Sequence, residues 1–251
     1  MAFSILGIKS VLVKKKPKIL FISTGSELTK NNQKNISPWQ IRNSNSNYLV
    51  ALNNFVQSDI IDGGIIKDNE KNKLKKILKK VNNSKIDIFI TSGAVSAGKF
   101  DFIPKITKEI GIKTIFKNVA IRPGKPILFS KFKKKNKLFF GLPGNPISSA
   151  ACFRFFVYPV IRSSLGLKQE KKLKAKLKSN FVKKKFFTRF IKGEVSVDKK
   201  GTNYIKILQG QQSFKIQSFT KSNTWAIFYA GKQRYKKGDY IDCLYINPQR
   251  S

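Results

Sequence analysis

Apolar residues recur along the chain in two rhythms. Short unbroken runs, such as Ile19, Leu20, Phe21 and Ile22 in "KPKILFIST", have the density of a strand buried on both faces. Longer stretches repeat at helical spacing. In "NEKNKLKKILKKVNN", Leu74, Ile77, Leu78 and Val81 share one face and lysines take the other. "SNSNYLVALNNFV" opens with residues suited to N-capping and continues as a helix. "DIIDGGIIKDN" holds a second strand ending at Asp68, and "KIDIFI" is a third. "DFIPKITKEIG" predicts another helix. "KTIFKNVAIRPGKPILFSKF" predicts a strand, a proline-bounded turn and a strand; "NKLFFGLPGNPISSAACFRFFVYPVIRSSLG" predicts a strand, a tight loop and a long apolar helix.

Strands that alternate with helices predict an α/β sheet with parallel pairs. Ligands of such sheets sit beyond the carboxyl ends of the strands. "TGSE", "KDN", "TSGAVSAG" and "LPGNP" all fall at those ends. After Lys168 the pattern changes. A charged junction, "KQEKKLKAKLK", leads into short alternating segments parted by the turn signals "DKKG" and "KKGD". These predict a small, mostly β second domain, a barrel or a sandwich.

Composition narrows the chemistry. The 251 residues, 41% apolar, suffice for one large or two modest domains. The absence of histidine excludes Ser-His-Asp and Cys-His machinery and His-ligated zinc. Cys152 and Cys243 have no metal or redox spacing, which fits packing residues in a reduced, cytoplasmic setting. The opening "MAFSILGIKSVLV" is too short for a membrane span and has no charged n-region. Lys and Arg number 51 against 13 acidic residues, a net charge of +38. The lysines are spread in clusters over the whole chain, so solvated faces explain them better than a nucleic-acid footprint.

Within that basic chain, Glu27, Asp68 and Asp101 all fall at the predicted edge. Each alone reads more simply as a surface ion pair. As a set of three oxygen donors they suit Mg²⁺, which takes a few carboxylates together with substrate phosphate. The glycine-rich "TSGAVSAG" offers backbone amides, with Thr91, Ser92, Gly93 and Ser96 as further contacts for an anion; a packing turn is an equal alternative. In "GLPGNP", Pro143 and Pro146 stiffen the loop around Asn145, and Pro146 suits the first turn of the next helix, which carries Ser148. Arg122 and Lys125 of "RPGKP" can neutralise an anionic partner.

"ISTGSEL", "GGIIKDN", "ITSGAVSAGKFD", "IRPGKP" and "GLPGNPISS" resemble, in order, the molybdopterin molybdenumtransferases, or molybdenum insertases, relatives of the gephyrin C-terminal domain. The resemblance is close over residues 1 to 166 and weaker beyond. It implies a three-layer, molybdopterin-binding-type, mostly parallel sheet with helices on both faces, plus a C-terminal β domain. The expected boundaries are 1–16, the tail of the family's N-terminal region, then 17–167 and 168–251. It implies a reaction in which adenylylated molybdopterin and molybdate bind with Mg²⁺, the adenylate bond is cleaved, and AMP and the molybdenum cofactor leave. Glu27, Asp68 and Asp101 match the family's carboxylates, and Pro143 and Pro146 its LPGNP prolines. Arg122, Lys125 and Ser148 match positions implicated in holding oxyanion or phosphate. Lys192 stands where an arginine is usual, and Ser213 matches a serine near molybdate. Ser26 replaces an aspartate and Ala94 a glycine. Family dimers complete the site with N-terminal residues of the partner, so a homodimer or a companion chain is expected here. Three other readings stay beside this one: a molybdopterin-binding module without turnover, the sister molybdopterin adenylyltransferase, and a nucleic-acid binder.

Overall fold

The computed structural model describes residues 2–30, 32–95, 102–133 and 136–248. Six strands build the first sheet: β1 (Lys18–Thr24), β2 (Asp59–Ile66), β3 (Ile88–Ser92), β4 (Ile112–Lys117), β5 (Leu128–Phe132) and β6 (Leu138–Leu142). Their order is β2-β1-β3-β6-β5-β4. The first four run parallel, and β5 is antiparallel to both of its neighbours. The chain leaves β1 for β2 on one side and returns to β3 on the other. The gap between β1 and β3 is therefore the topological switch point, where sheets of this kind open a crevice.

Helices cover both faces. They are α1 (Ser44–Ala51), α2 (Lys71–Asn82), α3 (Ile103–Glu109), α4 (Pro146–Cys152) and α5 (Tyr158–Ser164); a π turn, Phe153–Val157, joins the last two. The unbroken apolar runs are resolved by the two-residue period of a strand. Ile19 and Phe21 of β1, with Ile88 and Ile90 of β3, face Leu49, Phe153 and Ile161. Ile22 and Phe89 face the opposite way, onto Leu74, Leu78, Val81 and Ile106. The lysine-rich α2 thus buries the apolar side its spacing foretells. In the loop after β1, which the sequence marks only as polar, Leu28–Thr29 pairs with Ile41–Arg42.

The C-terminal segments form a closed five-stranded barrel of β7 (Leu173–Leu177), β8 (Thr188–Val197), β9 (Asn203–Ile207), β10 (Thr224–Phe228) and β11 (Tyr240–Tyr245). The order β9-β7-β11-β10-β8 is completed by pairing of β9 with β8. This settles barrel against sandwich. Ile121–Arg122 adds alongside β8, stitching the barrel to the first sheet.

An aromatic seam joins the two. Phe155 of the helical run stacks on Phe190 of β8 at 3.7 Å and meets Trp225 edge-on. Beside it, Arg154 donates twice to Glu170, at 2.6 and 2.8 Å, and once to the Tyr245 carbonyl. Both members of that ion pair are buried. Both cysteines are buried as well, and burial pushes the Cys243 thiol up to about 12, consistent with packing roles. Among the described residues no helix is long and apolar enough to cross a membrane. Before β1 the chain forms only a short helix, Ala2–Ile5, and leaves Phe3, Ile5, Leu6, Leu12 and Val13 exposed.

Glu170→Ala strands a buried guanidinium and is expected to cost about 3–5 kcal/mol. Lys73→Ala, which removes an exposed pair with Glu70, is expected to cost under about 1 kcal/mol. Urea midpoints of the two variants check the contrast; equal shifts would deny the buried pair its role in fastening the helix to the barrel.

Candidate functional site

The site grows from the ends of β1, β2, β3 and β6. Thr24 closes β1 and the chain turns at Gly25, whose amide donates to the Ile66 carbonyl of β2 at 3.1 Å. A methyl group on Gly25 would lie 2.5 Å from a carboxylate oxygen of Glu27, so the side chain of Glu27 folds back over this glycine. Ser26 and Asp68 bond reciprocally: the Ser26 amide donates to Asp68 Oδ2 at 3.3 Å, and the Asp68 amide donates to Ser26 Oγ at 3.1 Å. Ser26 thereby ties the two loops together without adding a charge of its own. Glu27 and Asp68 are brought to adjoining positions at one strand end. Glu70, Glu109, Glu170, Asp239 and Asp242 are all ion-paired. Among the described residues Glu27 and Asp68 are not, and neither are Asp59, Asp62, Asp87, Glu194 and Asp198; what sets Glu27 and Asp68 apart is their place at the strand ends. Within the same residues no three metal-binding side chains cluster. Asp101, the expected third carboxylate, and Ser96 lie outside the described residues.

The glycine turn after β3 packs against both neighbouring loops. Thr24 Oγ1 donates to the Ser92 carbonyl at 3.0 Å, and the Gly93 amide donates to the Leu142 carbonyl at 3.0 Å. Gly93 has φ +96°, and a Cβ there would stand 2.4 Å from the Thr24 carbonyl oxygen. Gly144 in turn approaches Gly93 so closely that its own Cβ would meet Gly93 Cα at 3.4 Å. Asn45 clasps the two loops from α1: its Nδ2 donates to Ser92 Oγ at 3.2 Å and to the Gly144 carbonyl at 2.8 Å. The sequence reading missed Asn45, taking its neighbourhood only for helix-capping residues. The cap is Asn43, which accepts from the Ser46 amide, so Asn45 is freed for the clasp.

Pro143 is buried, and Pro146 starts α4 as its spacing predicts. Asn145 does not cap that helix with its side chain. Its Oδ1 is shut off from solvent without a hydrogen-bond partner, and so is Thr91 Oγ1. Unsatisfied buried polar atoms are costly and rare in folded proteins, and two of them stand at this edge. Ala94, Val95, Pro126, Pro143, Asn145 and Ser148 line a cavity of 260 Å³ there. A larger hollow of 540 Å³ lies in the aromatic seam, between Phe155, Phe190 and Leu244. Its one carboxylate, Glu170, is consumed by Arg154.

The "RPGKP" turn reaches the cavity through Pro126, while Lys125 is exposed beside it. Arg122 turns elsewhere, its guanidinium lying 4.7 Å over the Phe187 ring. Lys192 also departs from the expectation of a substrate-facing cation. It is buried, and its ammonium donates to the carbonyls of Gly210, Gln212 and Lys215. With three protons on three acceptors, none is left for a phosphate. Ser213 sits half-buried in the turn that those carbonyls belong to.

Ala94 has φ +51°, the left-handed region that disfavours a side chain. Ala94→Gly is expected to raise stability by up to about 1 kcal/mol. Gly93→Ala, which forces a methyl group against a carbonyl, is expected to lower it by about 1–3 kcal/mol. Opposite signs in thermal melts check the turn; two destabilisations of equal size would contradict its geometry.

Residues 20–163 match the model of a family described as "probable molybdopterin binding domain". Over 245 residues, 95% of its length, the chain is 32% identical to a molybdopterin molybdenumtransferase of Staphylococcus epidermidis, of which it spans 56%. Identity to a molybdopterin molybdenumtransferase of Haemophilus influenzae is 31% over 239 residues, covering 94% of this chain and 58% of the relative. Among solved structures, a molybdopterin biosynthesis moeA protein from Pyrococcus horikosii superimposes with a TM-score of 0.78 at 26% identity. That likeness covers 98% of this chain and 58% of the other. The chain thus spans less than two thirds of these relatives. The family match runs from β1 to α5 and takes in every loop of the strand-end site, and on that ground the chain belongs to the molybdopterin-binding domain family.

Proposed function

We propose that the strand-end site binds adenylylated molybdopterin and molybdate as a molybdopterin molybdenumtransferase, releasing AMP as molybdenum is placed on the dithiolene. The observation that carries this reading is the convergence of two unpaired carboxylates, a glycine turn and a proline-stiffened loop at the switch point of the sheet. The relatives' names supply the reaction. On this reading residues 17–167 form the molybdopterin-binding unit, residues 168–251 a separate β unit, and residues 1–16 the tail of the family's N-terminal region.

The amides that follow Gly93 in its turn and those in the first turn of the helical run after Pro146 present partial positive charge to the substrate phosphates. Thr91, Asn145 and Ser148 donate or accept at the same edge, with Lys125 supplying charge from its rim. Glu27 and Asp68 fit Mg²⁺ by donor type, as adjoining oxygen ligands without competing ion pairs, and Asp101 joins them on sequence grounds. Bound there, Mg²⁺ supplies charge neutralisation for phosphate oxygens. Ser26 and Asp68 hold the loops of β1 and β2 in register, so Glu27 and Asp68 need no reorganisation when substrate arrives.

Binding without turnover is a second reading, supported by Ser26, which stands where the family has an aspartate and leaves the site one carboxylate fewer. A homodimer or companion chain then completes the site, and the exposed apolar side chains between Phe3 and Val13 support such a contact.

AMP release from adenylylated molybdopterin, with and without molybdate and Mg²⁺, tests the proposal. Molybdate-dependent release is expected, falling at least about tenfold in Glu27→Gln, Asp68→Asn and Asp101→Asn with melting unchanged. Binding without release favours the module. Neither binding nor release sinks both readings, and wild-type rates in all three variants would remove the carboxylates from the site.

A further inference from the structure

The chain has two tryptophans, and the fold treats them in opposite ways. Trp225 is fully buried in the seam, against Phe155 and Phe219. Trp39 is 63% exposed, in the loop between β1 and α1. So large an apolar surface is costly to leave in water, and tryptophan is highly buried on average. The backbone beneath the exposed ring is nevertheless tied down. The Gln40 amide donates to the Ser37 carbonyl at 2.9 Å, and the Ser37 amide donates to Gln40 Oε1 at 3.0 Å, closing a turn with Pro38 and Trp39 at its tip. Pro38 fixes one dihedral of that turn. Beyond it, Arg42 donates to the Gln33 carbonyl at 2.6 Å and the Asn43 amide to the Thr29 carbonyl at 3.0 Å.

These bonds also place the turn. Leu28 and Ile41 are partners in a parallel ladder, and the Ile41 amide donates to the Glu27 carbonyl at 2.8 Å. In a parallel ladder the residues that precede each partner lie toward the same end. The segment from Ile41 back to Trp39 thus leaves the ladder at the end where Leu28 leads back to Glu27 and Ser26. Two residues span at most about 7 Å, so the Trp39 backbone stays within that distance of the residue bonded to Glu27. Ser26 at the same end is joined to Asp68 by their reciprocal bonds. A firmly held, water-exposed indole therefore flanks the mouth that carries both carboxylates.

We propose that Trp39 is a binding platform on which a flat, fused heteroaromatic ring of the ligand stacks while its phosphate lies against the strand-end loops. The ligand class rests on the molybdopterin reading above, whose substrate carries two such rings, adenine and pterin. Stacking on an indole needs no particular hydrogen bond, so either ring meets the chemistry. The turn holds its shape before ligand arrives, which lowers the ordering cost of binding.

The experiment compares wild type, Trp39→Ala and Trp39→Phe of the whole chain with three probes: AMP, a phosphorylated pterin and ribose 5-phosphate. Trp225 is buried, so quenching of tryptophan emission by a probe reports Trp39; calorimetry reads affinity independently. AMP or the pterin is expected to quench the wild type and to bind at least about tenfold more tightly than ribose 5-phosphate, which has no ring and leaves emission unchanged. Trp39→Ala is expected to lose that advantage with melting unchanged, and Trp39→Phe to keep most of it. The probe that shows the advantage identifies the ring. Equal affinities of wild type and Trp39→Ala for both ring-bearing probes overturn the proposal, and so does binding of neither. A smaller assembly in Trp39→Ala with unaltered affinities also overturns it, because the indole and its exposed neighbours Ile36 and Ile41 would then serve a contact between chains. The two readings fail separately. Stacking without molybdate-dependent AMP release keeps the platform and removes the transferase; release with unaltered affinities in Trp39→Ala does the reverse.

Discussion

The site depends on how closely three backbone segments approach one another. Gly93 stands where a single methyl group would overlap the Thr24 carbonyl, and Gly144 leans on its Cα. No side chain fits at Gly93 without strain. The closeness brings the ends of β3 and β6 within reach of one side chain, Asn45, and it turns the loops outward at the switch point. The carboxylates, the orphaned polar atoms and the cavity follow from it. Ala94, next to the junction, shares its left-handed backbone without glycine's freedom, so this copy of the turn holds a strained residue.

Charge is handled by sparing use of acid. In a chain with 51 basic residues, five acidic side chains among the described residues pair with lysine or arginine. Asp68 is not one of them: its carboxylate accepts from the Ser26 amide, and its own amide donates to the Ser26 hydroxyl. The surplus of lysine lies mainly on faces such as the outer side of α2, away from the buried Leu74 and Leu78. A strongly basic exterior and a small acidic mouth are thus compatible in one fold.

Much of this was legible beforehand because it depends on local rules. Unbroken apolar runs declared the inner strands of the parallel sheet. The 3.6-residue period declared α2, and glycine and proline marked the strand-end turns. What was not legible depends on tertiary pairing. Asn45 carries no signal of its own, since the same residue type one turn either way would serve as a cap. Arg122 looks like an anion ligand in "RPGKP" until its backbone joins the edge of β8 and its side chain finds Phe187. Lys192 resembles a substrate-binding cation until the turn after β9 folds back over it. Long polar side chains reach several partners, and only the packed chain decides among them.

The most direct test of the account is a map of backbone amides protected when adenylylated molybdopterin binds the whole chain in the presence of Mg²⁺. The account predicts protection confined to the mouths of β1, β2, β3 and β6, over residues 24–27, 67–68, 91–95 and 143–148. Protection centred on the seam between Phe155 and Leu244, with those loops unaffected, would contradict it.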